Sequence, residues 1–161
     1  MALEFKRLTE VDKAGTIELM NNPLVRRQMP LTSDEFDEAD CEAFSAAKER
    51  LWDEHGYGPW AFVVDGRFAG WGGLQPEEGD VDLAVVLHPD YWGLGKAIYD
   101  RLIAFAFEEK GFESVTILLP HSRTRVKGIF RLDFEPDGET EVGGERFNRY
   151  RLHRPGDASP S

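Results

Sequence analysis

The sequence predicts an α+β domain on a mixed central sheet, antiparallel in its first half and with one parallel crossover in its second. Three observations carry this expectation. WAFVVDGRFAGWGGLQ holds two apolar runs joined by Asp65-Gly66, a dipeptide suited to a two-residue hairpin, and a third run, Val81 to Leu87, follows EEGD. A helical segment then precedes the next apolar run, SVTILLP, and strands joined through a helix pair in parallel. ETEVGGERFNRYRL reads as a closing strand pair.

Taken in order, LEFKRL nearly alternates apolar and polar residues and predicts a first strand. Thr9 is the expected N-cap of a helix with Val11, Ala14, Ile17 and Leu19 on its apolar side, stopped by Asn21, Asn22 and Pro23. LTSDEF predicts a second start: Thr32 as N-cap, Glu35 completing a capping box, Leu31 stapled against Phe36. Phe36, Ala39, Ala43, Ala47 and Leu51 then recur at helical spacing, giving a helix to about Glu54 closed by Gly56. The acidic cluster Asp34, Glu35, Asp37 and Glu38 suits the positive end of that helix, and no His or Cys shares its face to suggest a metal. Pro89 ends the Val81 to Leu87 strand. The crossover helix places Ile98, Leu102, Phe105 and Ala106 on one face, with Lys110 in its last turn and Gly111 as its cap. SRTRVKGIFRLDF predicts a short helix before the closing strands.

At 161 residues the chain is long enough for one domain, placed at 1–154, with 155–161 a flexible tail rich in Pro, Ser, Gly and Asp. A net charge of -11 opposes binding to nucleic acid, which needs clustered cations, and suits a cationic substrate or a basic protein. The single cysteine, Cys41, allows no internal disulfide and points to a reducing compartment and a packing role. No signal-peptide core and no apolar run of about 18 residues occurs, so a cytoplasmic protein without a membrane partner is expected. His55 and His153 are isolated, and no histidine pair has zinc spacing.

The segment HPDYWGLGKAIYDRL carries the functional signal. Glycines ahead of a helix let backbone amides approach a phosphate, because the first turn leaves its donors unpaired and its dipole positive. A Walker loop would need a glycine at Asp90 and a hydroxyl at Ala97, and a dinucleotide fingerprint a glycine at Ile98; both templates fail. Trp92, Gly93, Leu94, Gly95, Lys96 and Ala97 instead resemble the acyl-CoA pyrophosphate loop of the GNAT superfamily of N-acetyltransferases, Q/R-x-x-G-x-G/A, with Trp at the first place as in the RimJ and RimL branch. NNPLVRRQMP is similar to that branch's segment between its first two helices, WAFVVDGRFAGWGGLQ to its "wai...G..iG..gL" hairpin, DLAVVLHPDYWGLG to "EIGYwlhPeyWGkG", and RLDF to "kLGF".

The resemblance implies a mostly antiparallel GNAT sheet with a splayed parallel strand pair and about four flanking helices. It implies acetyl-CoA as cofactor, direct acetyl transfer to a primary amine on a protein N-terminus or a small molecule, and admits a homodimer. By the match, Val85, Val86, Leu87 and His88 line the cofactor arm through their backbone, and Trp92 to Ala97 hold its diphosphate. Asp82 matches the strand glutamate of "EIGY" and becomes the candidate base, ahead of Glu77 and Glu78. Ile129 stands where many members carry a tyrosine that protonates the thiolate. Others use an asparagine and a serine at this helix start; depending on a one-residue shift, Ser122 or His121 takes the asparagine place and Arg125 or Thr124 the serine place, and Ser122 is the candidate both for the leaving group and for cofactor contact. Arg26, Arg27 and Gln28 lie in the loop that overlooks the acceptor in the family, where they select an anionic substrate end or form a solvated turn. Asp133 replaces the glycine of "LGF", a position where Asp tolerates left-handed backbone. An idle acyl-CoA-binding relative, lacking the acid and base, is the alternative.

Overall fold

Asp65 and Gly66 take φ of 50° and 82°, the left-handed pair that a two-residue hairpin needs, and this turn sets the register of the first half of the molecule. The structure, a computed structural model, describes residues 2–26, 35–77, 79–121 and 130–154. The hairpin consists of β2 (Pro59–Val64) and β3 (Arg67–Glu77). β1 (Leu3–Lys6) joins the free edge of β2, and β4 (Asp80–Leu87) the far edge of β3, all antiparallel. β5 (Ser114–Pro120) lies parallel to β4, and β7 (Glu145–His153) and β6 (Glu135–Val142) extend the sheet antiparallel. The resulting order is β1-β2-β3-β4-β5-β7-β6, a seven-stranded mixed sheet with one parallel pair, as expected.

Helices cover both faces because successive strand residues point to opposite sides. On one face Phe62, Leu74, Leu83, Val115 and Ile117 form the larger core under Ile98, Leu102 and Ala106 of α4 (Gly95–Ala104), described together with its predecessors below. On the other, Ala61 and Trp71 meet Leu19, Met20 and Val25 from α1 (Lys13–Asn21) and α2 (Pro23–Arg26), beneath α3 (Glu38–His55). These four are the helices of the described residues, with α4 extended by a π-helical turn, Phe105–Glu109, before Gly111 turns the chain at φ 70°.

Helix boundaries depart from the sequence reading in instructive ways. Thr9 sits in a 3-10 turn, Leu8–Glu10, and α1 is capped by Asp12, whose side chain accepts from the Ala14 N–H. The buried side of α1 is Thr16, Leu19 and Met20, with Ala14 exposed. Pro23 does not end helical structure; it opens α2, since proline suits a first helical position. α3 starts later than expected, capped by a reciprocal Asp37–Asp40 box; Leu31 and Thr32 lie outside the described residues, and Glu35 precedes the helix without helical structure. Its inward side is Cys41, Phe44, Lys48 and Trp52, whereas Ala39 and Ala43 face solvent. Alanine is indifferent to exposure, so the aromatic residues decide which way the helix turns. Cys41 is buried, as expected for a packing thiol, and Gly56 closes the helix at φ 75°. Asp133 takes φ 71°, a left-handed backbone that Asp tolerates.

Candidate active site

The parallel pair β4/β5 is in register at a single point, Asp82↔Thr116. Beyond it, toward Val85, Val86 and Leu87, β4 keeps its partners on β3 (Trp71↔Val86, Gly72↔Val85, Gly70↔Leu87) but has no register partner on β5. Every strand sends alternate N–H and C=O groups to each side, so this stretch of β4 directs backbone groups into the gap between the parting strands. Val85 packs on the larger core and Val86 on the smaller, which anchors the strand from both faces while its edge stays open.

Asp82 sits at the point of divergence and is 4% exposed. The Thr116 hydroxyl donates to its Oδ1 at 3.0 Å, and Gln75 lies opposite it on β3. Burial pushes its pKa up from 3.8 to about 7, against the opposing pull of the Thr116 and Gln75 side chains, and the nearby Glu77 and Asp80 carboxylates add to the rise. A carboxyl with that pKa exchanges a proton readily near neutral pH. The sequence match singled out Asp82; Thr116 and Gln75 carry no such signal, because only strand register brings them to it.

Where β4 ends, His88 caps a 3-10 turn, Pro89–Leu94, its Nδ1 accepting from the Asp90 N–H at 3.1 Å, and α4 follows at Gly95. The ring of His88 thus faces its own turn and the Glu18 carboxylate, 4.0 Å away, while its backbone N–H donates to Ala69 O across β3. Trp92 is 46% exposed yet its Nε1 donates to Leu87 O at 2.9 Å, so it pins the turn to the end of the open strand. Gly93 and Gly95 both lie outside the left-handed region, and a Cβ on either would meet nothing within 4 Å. The fold therefore does not require glycine at either place, and the space above the turn is open. Gly95 N–H donates to Trp92 O within the turn, α4 has no side-chain N-cap and no acidic residue in its first turn, and Lys96 pairs with Asp100 at 2.8 Å, leaving its ammonium largely exposed. These features fit a diphosphate: bare backbone, a positive helix end and a nearby cation.

Behind Asp82 lies a network that sequence reasoning missed. Arg151 of β7 forks onto Asp80 at 2.9 and 3.1 Å, donates through Nε to Asp137 at 2.9 Å, and through Nη1 also to the Ser114 hydroxyl at 2.9 Å. Arg149 also reaches Asp137, at 3.1 Å. Arg151 holds the carboxyls of Asp80 and Asp137 below the usual carboxylate range, and it ties the start of β4 to β7 across β5. Of the acceptor-loop residues, Arg26 is described, half-buried and hydrogen-bonded to Asn21 Oδ1 at 3.3 Å. Arg27, Gln28, Glu78, Ser122, Thr124, Arg125 and Ile129 lie outside the described residues, as does the tail 155–161. His121 is described and approaches Glu139 at 3.0 Å.

A sheet that parts beside a glycine turn, with a buried carboxyl at the vertex, marks the candidate site of the molecule. The sequence profile of the family described as "Acetyltransferase (GNAT) domain" matches residues 2–127, and the chain belongs to that family. Among solved structures, the chain is similar to an acetyltransferase from Agrobacterium tumefaciens str. C58 (17% identity, TM-score 0.76, covering 94% of this chain and 91% of that one). It is also similar to a GNAT-family acetyltransferase from Bacillus anthracis (14%, 0.73, 94% and 93%). The aminoglycoside acetyltransferase AAC(6')-Ib, solved in complex with coenzyme A, is a third (14%, 0.72, 95% and 94%). At such identities the likeness concerns the fold. No curated protein sequence matches the chain. The GNAT family uses acetyl-CoA. No helix among the described residues is long and apolar enough to cross a membrane.

Proposed function

We propose that the chain is an acetyl-CoA-dependent N-acetyltransferase of the RimJ/RimL-like branch, a single cytoplasmic domain over 1–154 that acetylates a primary amine in a ternary complex. The observation that carries this reading is the buried Asp82 carboxyl, with its pKa raised to about 7, at the only register point of the parting strands. Acetyl-CoA, when bound, supplies an activated thioester.

The residues of the chain do the rest. The backbone of Val85, Val86, Leu87 and His88 lines the pantetheine arm; the His88 N–H is taken by Ala69 O on β3, and the alternate amides of Val85 and Leu87, on the β5 side, stabilise negative charge developing on a carbonyl oxygen, as preorganised dipoles do. Backbone from Trp92 to Ala97, with the helix end of α4 and Lys96, grips the diphosphate. An amine is mostly ammonium at neutral pH and attacks only after losing a proton; Asp82 takes that proton, with Thr116 holding its carboxylate in place. Ser122 assists the departing thiolate, and Arg26, Arg27 and Gln28 flank the acceptor.

Thiol release from acetyl-CoA in the presence of an amine panel tests the activity. A thermal shift with acetyl-CoA but not with ATP or NAD tests the cofactor, since a ligand stabilises the fold only where it binds. A shift without thiol release from any amine would leave the idle acyl-CoA-binding relative as the correct description.

A further inference from the structure

Lys48 differs from the other described cations in its setting. Arg7, Lys13, Lys96, Arg146, Arg149 and Arg151 each lie within 4.0 Å of a carboxylate, and Arg50, Arg67, Arg101, Lys110 and Arg131, which have no ion pair among the described residues, are exposed, whereas Lys48 is half-buried. Lys48 has no ion pair or hydrogen bond among the described residues; its ammonium lies 5.3 Å from the ring of Trp71 and 5.4 Å from that of Phe44. Burial alone moves its pKa, and moves it down, with no carboxylate acting on it. Ring faces attract a cation but do not replace a counter-ion.

Its place in the sheet gives the isolation a meaning. Trp71, Gly73 and Gln75 follow one another along the same face of β3, opposite Val86, Ala84 and Asp82 of β4. That face therefore carries Lys48 over Trp71 at one end and the Asp82 carboxyl at the other. Between them Ala84 contributes only a methyl group and, like Val86, is half-buried, while Gly73 is buried against the backbone of Gly58 and Pro59. Four residue steps of β3 lead from Trp71, under Lys48, to Gln75, opposite Asp82, about 13 Å along the strand. The ring stack under Lys48 continues from Trp71 through Phe44 to Phe36, with centroid spacings of 5.0 and 5.8 Å. Phe36 is held by Asn21, the residue that also accepts from Arg26, so a second cation without a carboxylate partner among the described residues lies at the far end of the stack.

We propose that Lys48, seated on Phe44 and Trp71, binds a carboxylate of the acceptor, so that the substrate class is a primary amine carrying an anionic group within reach of about 13 Å of its amine. This rests on the transferase reading above. The amine is placed at Asp82 and the carboxylate at Lys48, and a chain whose surface is strongly negative admits such a substrate only where it offers an unmatched cation inside the site. Small amino carboxylates and short peptides with a free N-terminus and an acidic side chain share this chemistry.

The test compares kcat/KM for acetylation of ω-amino carboxylates with that of the matching carboxamides, and of acidic peptides with their amidated counterparts; the two arms distinguish a small molecule from a protein N-terminus. The wild-type chain should favour the carboxylate by about tenfold or more, chiefly through KM, as expected of a charge-assisted hydrogen bond. Lys48→Met should bring the carboxylate down to the level of the carboxamide, and Lys48→Arg should restore the preference, with the acetyl-CoA thermal shift confirming that each variant is folded. Equal use of carboxylate and carboxamide by the wild type, or an equal loss on both in Lys48→Met, would overturn the inference and leave the transferase reading standing. Absence of thiol release with every amine would overturn both, and the wild-type comparison decides the matter even if the variant does not fold.

Discussion

Strand β5 is bordered in two different ways. Toward β7 every residue from Ser114 to Pro120 has a partner, antiparallel and without a shift; toward β4 one residue, Thr116, has one. Buried backbone groups are normally paired, and the β7 edge obeys that rule in full. On the β4 edge the ladder stops at Asp82, and the same backbone is left facing a gap. The difference teaches where this molecule invests its rigidity. Arg151, from the closed edge, reaches across β5 to Asp80 and clamps the base of β4 immediately before the strands part, so the open edge begins from a fixed point.

Perturbing each edge should give opposite signatures, and the largest belongs to the vertex. Asp82→Asn should lower kcat by about 100-fold or more, the usual scale for losing a general base, and should abolish a rise of activity with pH centred near the carboxyl's pKa of about 7. The same variant should be more stable than the wild type in alkaline buffer. A carboxyl whose folded pKa lies above its unfolded value holds its proton more tightly when folded, so stability is lost as pH rises from about 4 through about 7. Removing the charge should recover up to about 4 kcal/mol at pH values above about 8 and little below about pH 4, measured by denaturant titration at several pH values.

Next in size, Gly95→Asp should raise KM for acetyl-CoA by about 100-fold while the unliganded fold keeps its stability. Aspartate suits a helix N-terminus, but there it would compete with and repel the diphosphate. Thermal shift with and without the cofactor reads both effects. On the closed edge, Arg151→Gln should cost about 2 kcal/mol of stability by leaving Asp80 without its charged donor and Asp137 with Arg149 alone, with folding read by urea denaturation. Smallest is Gly95→Ala: with open space and right-handed backbone, it should stabilise the unliganded protein by about 0.5–1 kcal/mol, while cofactor affinity falls. A gain in stability paired with a loss of binding would show that glycine is kept there for the ligand.

Much of this architecture was readable in the residues. The Asp65-Gly66 turn, the apolar runs and the crossover helix gave the sheet and its one parallel pair, since tight turns and strand composition act locally. The loop from Trp92 to Ala97 and the acidic Asp82 were visible as a spaced pattern. Helix faces were less legible: the alanines of α3 repeat at the right interval, yet Phe44, Lys48 and Trp52 turn inward, because bulk and not periodicity settles a contest between two possible faces. Thr116, Gln75, Arg151 and Lys48 left no trace, each being functional or structural only through a neighbour far away in the chain.

By itself, then, the sequence determined the order of strands and helices, the glycine turn and the identity of the vertex carboxyl, because these depend on residues a few positions apart. The tertiary structure alone decided where β4 leaves β5, how far burial raises Asp82, and which lysine comes to lie on the rings of Phe44 and Trp71. Those three are set by register and by the exclusion of water, properties that arise only when distant segments pack together.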